Sequence, residues 1–256
     1  MNGKIIVVTH KDYGMPKDSL YLPVCVGAEI PMLKHRFQPD NEGENISEKN
    51  PTYCELTAIY WAWKNLTDKN LDYIGIVHYR RYFSEKKQTV SASDILTRQQ
   101  LDSLMEQEQG NVIFAPPKRR YLSSVQEHYI RSLKGYQEVH KRDIERLKKA
   151  IHECTPDYDI QAEKVLNSHS AHMLNMFIMS TEHFQAYCEW LFPVIEKVVE
   201  QSSDREDQRR YAGALSEFCL DIWSRKNQIA IRELPLFETE HKTFGRKVFD
   251  YIKRKI

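Results

Sequence analysis

Two continuous apolar runs set what this chain can fold into. Lys4–Thr9 (KIIVVT) and Leu71–Val77 (LDYIGIV) do not alternate apolar with polar residues. Each reads as a strand covered on both faces, which is the habit of parallel sheets. Between them lies a helix signal. Asn50 is placed to cap it and Pro51 suits the first helical position. The run continues to about Asn65, with Leu56, Ile59, Tyr60 and Trp63 on one face. Strands that alternate with helices imply a mostly parallel sheet with right-handed crossovers.

The rest of the chain extends the pattern. Tyr21–Val26 reads as a short strand, and Asn111–Ala115 as another, stopped by Pro116-Pro117. His172–Ser180 and Ile229–Leu234 are later strands. Helices are predicted from Ser93 or Asp94 to Gln107 with Asp94 near the N-cap, over Tyr121–His152 with a break near Gly135, over Thr181–Glu200 with Pro193 placed to kink it, and over Ala214–Arg225. The expectation is one α/β domain over residues 1–256. It has a mostly parallel sheet flanked by helices, a helical C-terminal part, a helical insertion at about 121–168 and a basic tail at about 243–256.

Composition narrows the function classes. The 256 residues carry a formal net charge of +1, so nothing favours nucleic acid as a partner and any anion site must be local. The cysteines (Cys25, Cys54, Cys154, Cys188 and Cys219) are scattered and include no CxxC pair, which argues against a disulfide framework or a zinc site. The first apolar run is too short for a signal peptide, and no stretch approaches a membrane span. A cytoplasmic protein is expected.

In an open α/β sheet, ligands bind outside the carboxyl ends of the strands. Three segments fall there: Thr9-His10, the stretch His78–Phe83 (HYRRYF), and the residues after Met179. HYRRYF is the most informative. Arginine presents a planar donor fork that fits phosphate oxygens, and a hydrogen bond to a charged group contributes roughly 1.5–3 kcal/mol. Arg80 and Arg81 are therefore candidates to hold a diphosphate; the alternative is a structural ion-pair cluster. The polar loop Asp40–Asn50 leads into a helix start, which favours anions, and reads equally as a solvated loop held by Asx turns. Asp157-Tyr158-Asp159 has the DxD form used for divalent metals, but it follows a polar, Pro-terminated stretch rather than a buried strand and reads as accidental. Glu217, near a helix start, is a candidate general base or a capping or dipole partner there, with Asp221 one turn on. Among the histidines, context singles out His78.

These stretches resemble a family of bacterial capsular and exopolysaccharide transferases grouped as DUF4422. The likeness is carried by Lys4–Tyr13, Met15-Pro16, Val26-Gly27-Ala28, Asp40–Asn50, Tyr53–Asn65 (YCELTAIYWAWKN) and Ile74–Phe83 (IGIVHYRRYF). Later come Asn175–Met179, Tyr187–Phe192 and the GxxSE of Gly213–Glu217. It departs at Phe218, where the family commonly has Arg.

The resemblance implies a GT-A-like fold and transfer of a sugar, galactofuranose or galactose, from a UDP-sugar to a saccharide acceptor in capsule, O-antigen or exopolysaccharide synthesis. On that reading Arg80 and Arg81, with His78 and Tyr82, occupy the strand-end slot that holds DxD in metal-dependent relatives, and no divalent metal or other cofactor is expected. Thr9 and His10 would contact the nucleotide. Asp40, Asn41, Asn45, Ser47, Lys49, Asn50 and Asn175 would hold ribose, phosphate or donor sugar. Glu217 would be the catalytic base. The acceptor would be a free or a lipid-linked saccharide, and the basic, aromatic tail is a candidate for peripheral contact with the inner face of the plasma membrane. The competing reading is a non-catalytic saccharide- or nucleotide-binding partner in polysaccharide assembly. A sulfo- or phosphotransferase is weaker, since no Gly-rich phosphate cradle is present.

Overall fold

The computed structural model describes residues 1–67, 70–86 and 91–239. Its strands are β1 (Gly3–Thr9), β2 (Tyr21–Cys25), β3 (Gln38–Pro39), β4 (Tyr73–His78), β5 (Arg81–Phe83), β6 (Val112–Ala115), β7 (Arg119–Arg120), β8 (Ser170–Ala171), β9 (Phe177–Ser180), β10 (Ala230–Glu233) and β11 (Leu236–Glu238). The main sheet runs β10-β6-β9-β4-β1-β2-β3. β1 is parallel to β2 and β4, β2 to β3, and β6 to β10. β9 runs against β4 and β6, so the sheet is mostly parallel with one reversed strand. β11 pairs with β5, which turns back from the end of β4, and β7 with β8 forms a small separate ribbon.

The two runs that opened the sequence reading lie side by side at the centre, with Ile5 opposite Gly75 and Val8 opposite His78. A Cβ on Gly75 would meet Ile178 Cγ1 at 2.9 Å and Ile5 Cγ1 at 3.0 Å. Glycine here lets the side chains of the neighbouring strands close over β4. Alternate residues divide between two cores. Ile6, Val8, Ile74 and Ile76 pack under the larger helical layer, while Ile5, Val7, Tyr73 and Val77 pack on the other side with Leu101, Met105 and Phe83.

The helical layer includes Thr181–Glu200, which matches its expected bounds and passes through Pro193. The region read as an insertion forms the helices Val125–Ile130, Gln137–Cys154 and Asp159–Leu166. Their Ile144, Leu147, Ile151 and Val165 are buried in the same core as Phe184 and Leu191. Gly135, with φ +84, lies in the break between the first two helices, where a break was expected.

Four expected elements differ, each for a local reason. The helix expected over residues 50–65 is two helices, Asn50–Tyr53 and Leu56–Leu66, broken where Cys54 takes φ 53. Asn50 is not its N-cap, because its side chain turns inward to the Cys54 carbonyl at 2.9 Å. The helix expected from residue 93 or 94 begins at Arg98, since Thr97 and Gln100 form a capping box there; Asp94 instead completes a capping box with Ser91. The strand expected over 172–180 is confined to Phe177–Ser180, because Leu174 and Asn175 take φ 89 and 49. The helix expected over 214–225 divides into Tyr211–Ser216 and Cys219–Lys226. No helix among the described residues is long and apolar enough to cross a membrane. The tail at 243–256 lies outside the described residues.

Candidate functional site

The pairing directions bring the carboxyl ends of β1, β4, β6 and β10, and the amino end of β9, to one edge of the sheet. His78 ends β4 there, in register with the residues that face the helical layer. Just before β9, Leu174 and Asn175 hold left-handed backbone conformations. Each costs on the order of 1–3 kcal/mol outside glycine and persists only where the surroundings fix it. Here the fixing contacts are visible. Asn175 is buried, and its Nδ2 donates to Glu55 Oε1 at 2.8 Å and Ser216 Oγ at 2.9 Å, with the Gly213 carbonyl at 3.2 Å. Ser216 Oγ in turn donates to the Gly213 carbonyl at 2.7 Å.

Four parts of the chain therefore meet at this edge: the kink at Cys54, the end of β4, the turn before β9, and the helix end that carries Glu217. Burial pushes the Glu217 carboxyl up to about 7, and the charge of Glu55 adds to this. The Leu174 backbone, Arg119 and Arg81 act the other way without cancelling it. Burial, with Arg81 and Arg80 nearby, holds His78 below its usual range, against the pull of Glu55 and the Leu174 backbone. His78 Nε2 is buried and has no hydrogen-bond partner among the described residues. Such a group is a base or an acceptor at neutral pH rather than a cation.

Arginines and His10 lie at the same edge. The Arg80 guanidinium lies over the Tyr79 ring at 5.3 Å. Arg81 Nε is 3.1 Å from Glu238 Oε1 on β11. His10 packs edge-on against Tyr79 with ring centroids 5.2 Å apart. Burial lowers the His10 pKa first, then Lys11, Arg80 and Arg210. Arg210 is a member that sequence reading missed. It enters with φ 62, its N–H held by the Pro51 carbonyl at 2.8 Å, and no motif marks it.

Other expected residues sit elsewhere or are engaged locally. Thr9 is at the edge, but its hydroxyl closes a turn with Lys11, donating to the carbonyl at 2.7 Å and accepting from the N–H at 3.1 Å. Tyr82 is buried in the opposite core, its hydroxyl donating to the Tyr79 carbonyl at 3.2 Å. In the polar loop, Ser47 donates to buried Asp40 at 2.5 Å, and Asn45 bridges the Gly43 carbonyl and the Ser47 N–H. Asn50 also reaches Thr57 Oγ1 at 3.2 Å. Lys49 pairs with Glu196 at 3.5 Å on the helical layer, and Asn41 is exposed. The loop thus spends much of its polarity on holding itself and the Cys54 kink.

Asp157 pairs with Lys226 at 2.7 Å, and Asp159 with His152 at 2.7 Å. Both aspartates lie on the helical layer away from the sheet edge. Phe218 is 1% exposed and packs edge-on against Tyr129. It faces the helical core rather than the edge, a position where an arginine would need a partner.

Glu55 is the second residue that sequence reading missed. It stands inside YCELTAIYWAWKN, which reads as continuous helix, and only the Cys54 kink frees its side chain toward the edge. A third is His172. Its ring Nδ1 is 2.6 Å from Asp221 Oδ1, its backbone N–H donates to Asp221 Oδ2 at 2.9 Å, and its Nε2 is 3.5 Å from Glu233 Oε1.

Comparison with known proteins gives four findings. The profile of DUF4422, described as a domain of unknown function, matches residues 4–228. No curated protein sequence matches the chain. The structure is similar to the apo structure of the WbbM bifunctional glycosyltransferase, with TM-score 0.77 and 25% identity over 95% of this chain. The chain spans 46% of that protein's length. Core-mannan synthase A of Aspergillus fumigatus, in its Mn/GDP form, aligns over 94% of this chain and 75% of that one at 10% identity and TM-score 0.39, too low to carry an argument. The expected α/β, GT-A-like architecture, a mostly parallel sheet flanked by helices, is the one this structure has.

Proposed function

The chain belongs to the DUF4422 family, and we propose that it is a glycosyltransferase that moves a sugar from a UDP-sugar to a saccharide acceptor in cell-surface polysaccharide synthesis. The observation that carries the reading is Glu217 at the carboxyl edge of the sheet, its carboxyl raised to about 7 by burial and by the charge of Glu55, directly after Ser216, which shares the Asn175 amide with Glu55. Likeness over nearly the whole chain to a bifunctional glycosyltransferase supports it.

In this reading the acceptor hydroxyl attacks the anomeric carbon as the bond to the diphosphate breaks. The hydroxyl proton passes to Glu217, whose pKa near the working pH suits a general base. The departing diphosphate gains negative charge, and Arg80, Arg81 and Arg210 would stabilise it as it forms. Transfer would then need no divalent metal. Galactofuranose or galactose is the proposed sugar, on family resemblance. A lipid-linked acceptor would suit the basic tail, which carries Arg246, Lys247, Lys253, Arg254 and Lys255.

The test is a donor screen. Thermal stabilisation by nucleotides selects the base, since a ligand that binds only the folded form raises stability. Product is then sought by mass spectrometry with the selected nucleotide sugar and saccharide acceptors. Selective binding of UDP and one UDP-sugar, followed by acceptor-dependent release of UDP, is the expected outcome. Binding without consumption of any donor would replace the enzyme with a saccharide- or nucleotide-binding partner.

A further inference from the structure

His172 has no part in the transfer just proposed, yet its ring is fixed from more than one side. Asp221 accepts from the His172 backbone N–H at 2.9 Å and lies 2.6 Å from ring Nδ1. That contact makes Nδ1 the donor of the neutral ring and leaves Nε2 as an acceptor. The side chain is 4% exposed, and Nε2 is buried with no hydrogen-bond partner among the described residues. Glu233 Oε1 faces it at 3.5 Å without a hydrogen bond between them. Glu233 ends β10, and its Oε1 also accepts the Lys118 N–H at 3.1 Å, which holds it in place. Two acceptors thus stand together with no donor between them, an arrangement that costs free energy until a donor arrives.

These acceptors stand beside the candidate base. Asp221 lies in the helix Cys219–Lys226, which begins directly after Glu217 and Phe218. Asn175, in the same turn as His172, is hydrogen-bonded to Ser216, the residue before Glu217. His172 is thereby braced on both sides of Glu217, and Glu233 ends β10 at the same edge of the sheet. We infer that His172 Nε2 and Glu233 Oε1 form an acceptor-sugar subsite that takes two hydroxyls on adjacent ring carbons, with Asp221 as the residue that orients the imidazole. The inference rests on the reading of Glu217 as the base, since the hydroxyl that reacts and the hydroxyls that are read belong to one acceptor. The chemistry favours a saccharide. Sugar hydroxyls are compact donors, and a neighbouring pair reaches two acceptors this close. A phosphate or carboxylate would set acceptors against acceptors. The Glu233 side chain is 45% exposed, so a shift of the glutamate uncovers Nε2 to an arriving hydroxyl. A sugar that lacks either hydroxyl leaves an acceptor unpaired, and sites that read a hydroxyl discriminate in this way.

A ligand-observed NMR titration reads the subsite, with the methyl glycosides of galactose, glucose and mannose added to protein saturated with UDP. At least one should bind the wild type. Its analogues that lack either of two adjacent hydroxyls should bind about tenfold or more weakly, the loss of one hydrogen bond to a buried acceptor. Glu233→Gln keeps a carbonyl for the Lys118 N–H and brings an amide that can donate to His172 Nε2, so the subsite closes on itself. It should lower glycoside affinity about tenfold and erase the two deoxy penalties, with UDP affinity and the urea midpoint no lower than in the wild type. A merely structural Glu233 would move the midpoint and leave the hydroxyl preference alone. Failure of all three glycosides to bind the wild type overturns the inference, and so do deoxy penalties that survive in Glu233→Gln. If the subsite behaves as expected but no sugar donor is consumed, the subsite stands and the transferase reading falls. If transfer proceeds with the acceptor KM unmoved by Glu233→Gln, the transferase reading stands and the subsite falls.

Discussion

Gly213 lies directly against the kink at Cys54. A Cβ added at Gly213 would meet the Tyr53 carbonyl oxygen at 2.9 Å and Cys54 Cβ at 3.0 Å. The contact explains the spacing of GxxSE. Glycine brings the helix Tyr211–Ser216 against the backbone that carries Glu55, Ser216 satisfies Asn175, and Glu217 follows at the helix end. Gly213→Ala should cost about 1–3 kcal/mol by overpacking, read from the urea midpoint. A variant as stable as the wild type would show that the close approach is not needed.

Glu217→Gln should lower kcat by ~10²–10⁴-fold, the usual contribution of a positioned base, with little change in nucleotide binding. Its effect on stability has a definite sign. The folded-state pKa is about 7 against an ordinary 4.5, so the folded protein holds the proton more tightly than the unfolded chain. Wild-type stability therefore falls as pH rises from about 4.5 to 7, and the full penalty is present above pH 7. Glu217→Gln, which never carries the charge, should gain on the wild type as pH rises, by at most about 3 kcal/mol at pH 8. Denaturation midpoints at pH 5 and pH 8 check this; an equal difference at both would mean that Glu217 titrates as an ordinary exposed carboxyl. In the wild type the transfer rate should decline as pH falls through 7, as the Glu217 base takes up its proton.

The strands and the long helix Thr181–Glu200 were legible because continuous or periodic apolar runs are strong signals, and burial follows them directly. The breaks were not. Cys54, Leu174 and Asn175 adopt positive φ without being glycine, so composition gives no sign of the turns that assemble the site. Glu55 looked like a helical surface residue for that reason. His172 and Asp221 are 49 residues apart, and nothing local relates them. Arg80, His78 and Glu217 were legible as chemistry at strand and helix ends. The polar loop at 40–50 left two readings open: its donors and acceptors are abundant, and sequence alone does not reveal that Ser47 bonds to Asp40, or Asn50 to Cys54 and Thr57.

The diphosphate reading makes a charge prediction. Arg80→Ala should weaken UDP binding roughly 10-fold or more, from the 1.5–3 kcal/mol of a charge-assisted hydrogen bond. The loss should be larger at low salt than at high salt, since exposed charges are screened. Calorimetry at two ionic strengths reads both. Arg81→Ala should also release Glu238, its partner at 3.1 Å, and so lower stability as well as binding. Excess EDTA should leave transfer unchanged; activity lost to EDTA and restored by manganese would overturn metal independence.

His172 and Asp221 make the deepest polar contact at the site's margin. Their side chains are 4% and 5% exposed, and Asp221 accepts from both the ring and the backbone N–H of His172. Asp221→Ala strands both donors in the core. Removing one partner of a buried hydrogen-bonded pair costs about 3–5 kcal/mol. Asp221→Asn keeps one carbonyl acceptor and should cost less. The effect should also travel, because His172 lies three residues before Asn175, which is hydrogen-bonded to Ser216 beside Glu217. Asp221→Asn should therefore shift the Glu217 titration even while the protein stays folded. Urea midpoints rank the two variants, and the NMR titration of Glu217 in Asp221→Asn reads the transmission. An Asp221→Ala protein as stable as the wild type would remove the pair from the fold's support. A stable Asp221→Asn protein with Glu217 unmoved would confine its role to packing.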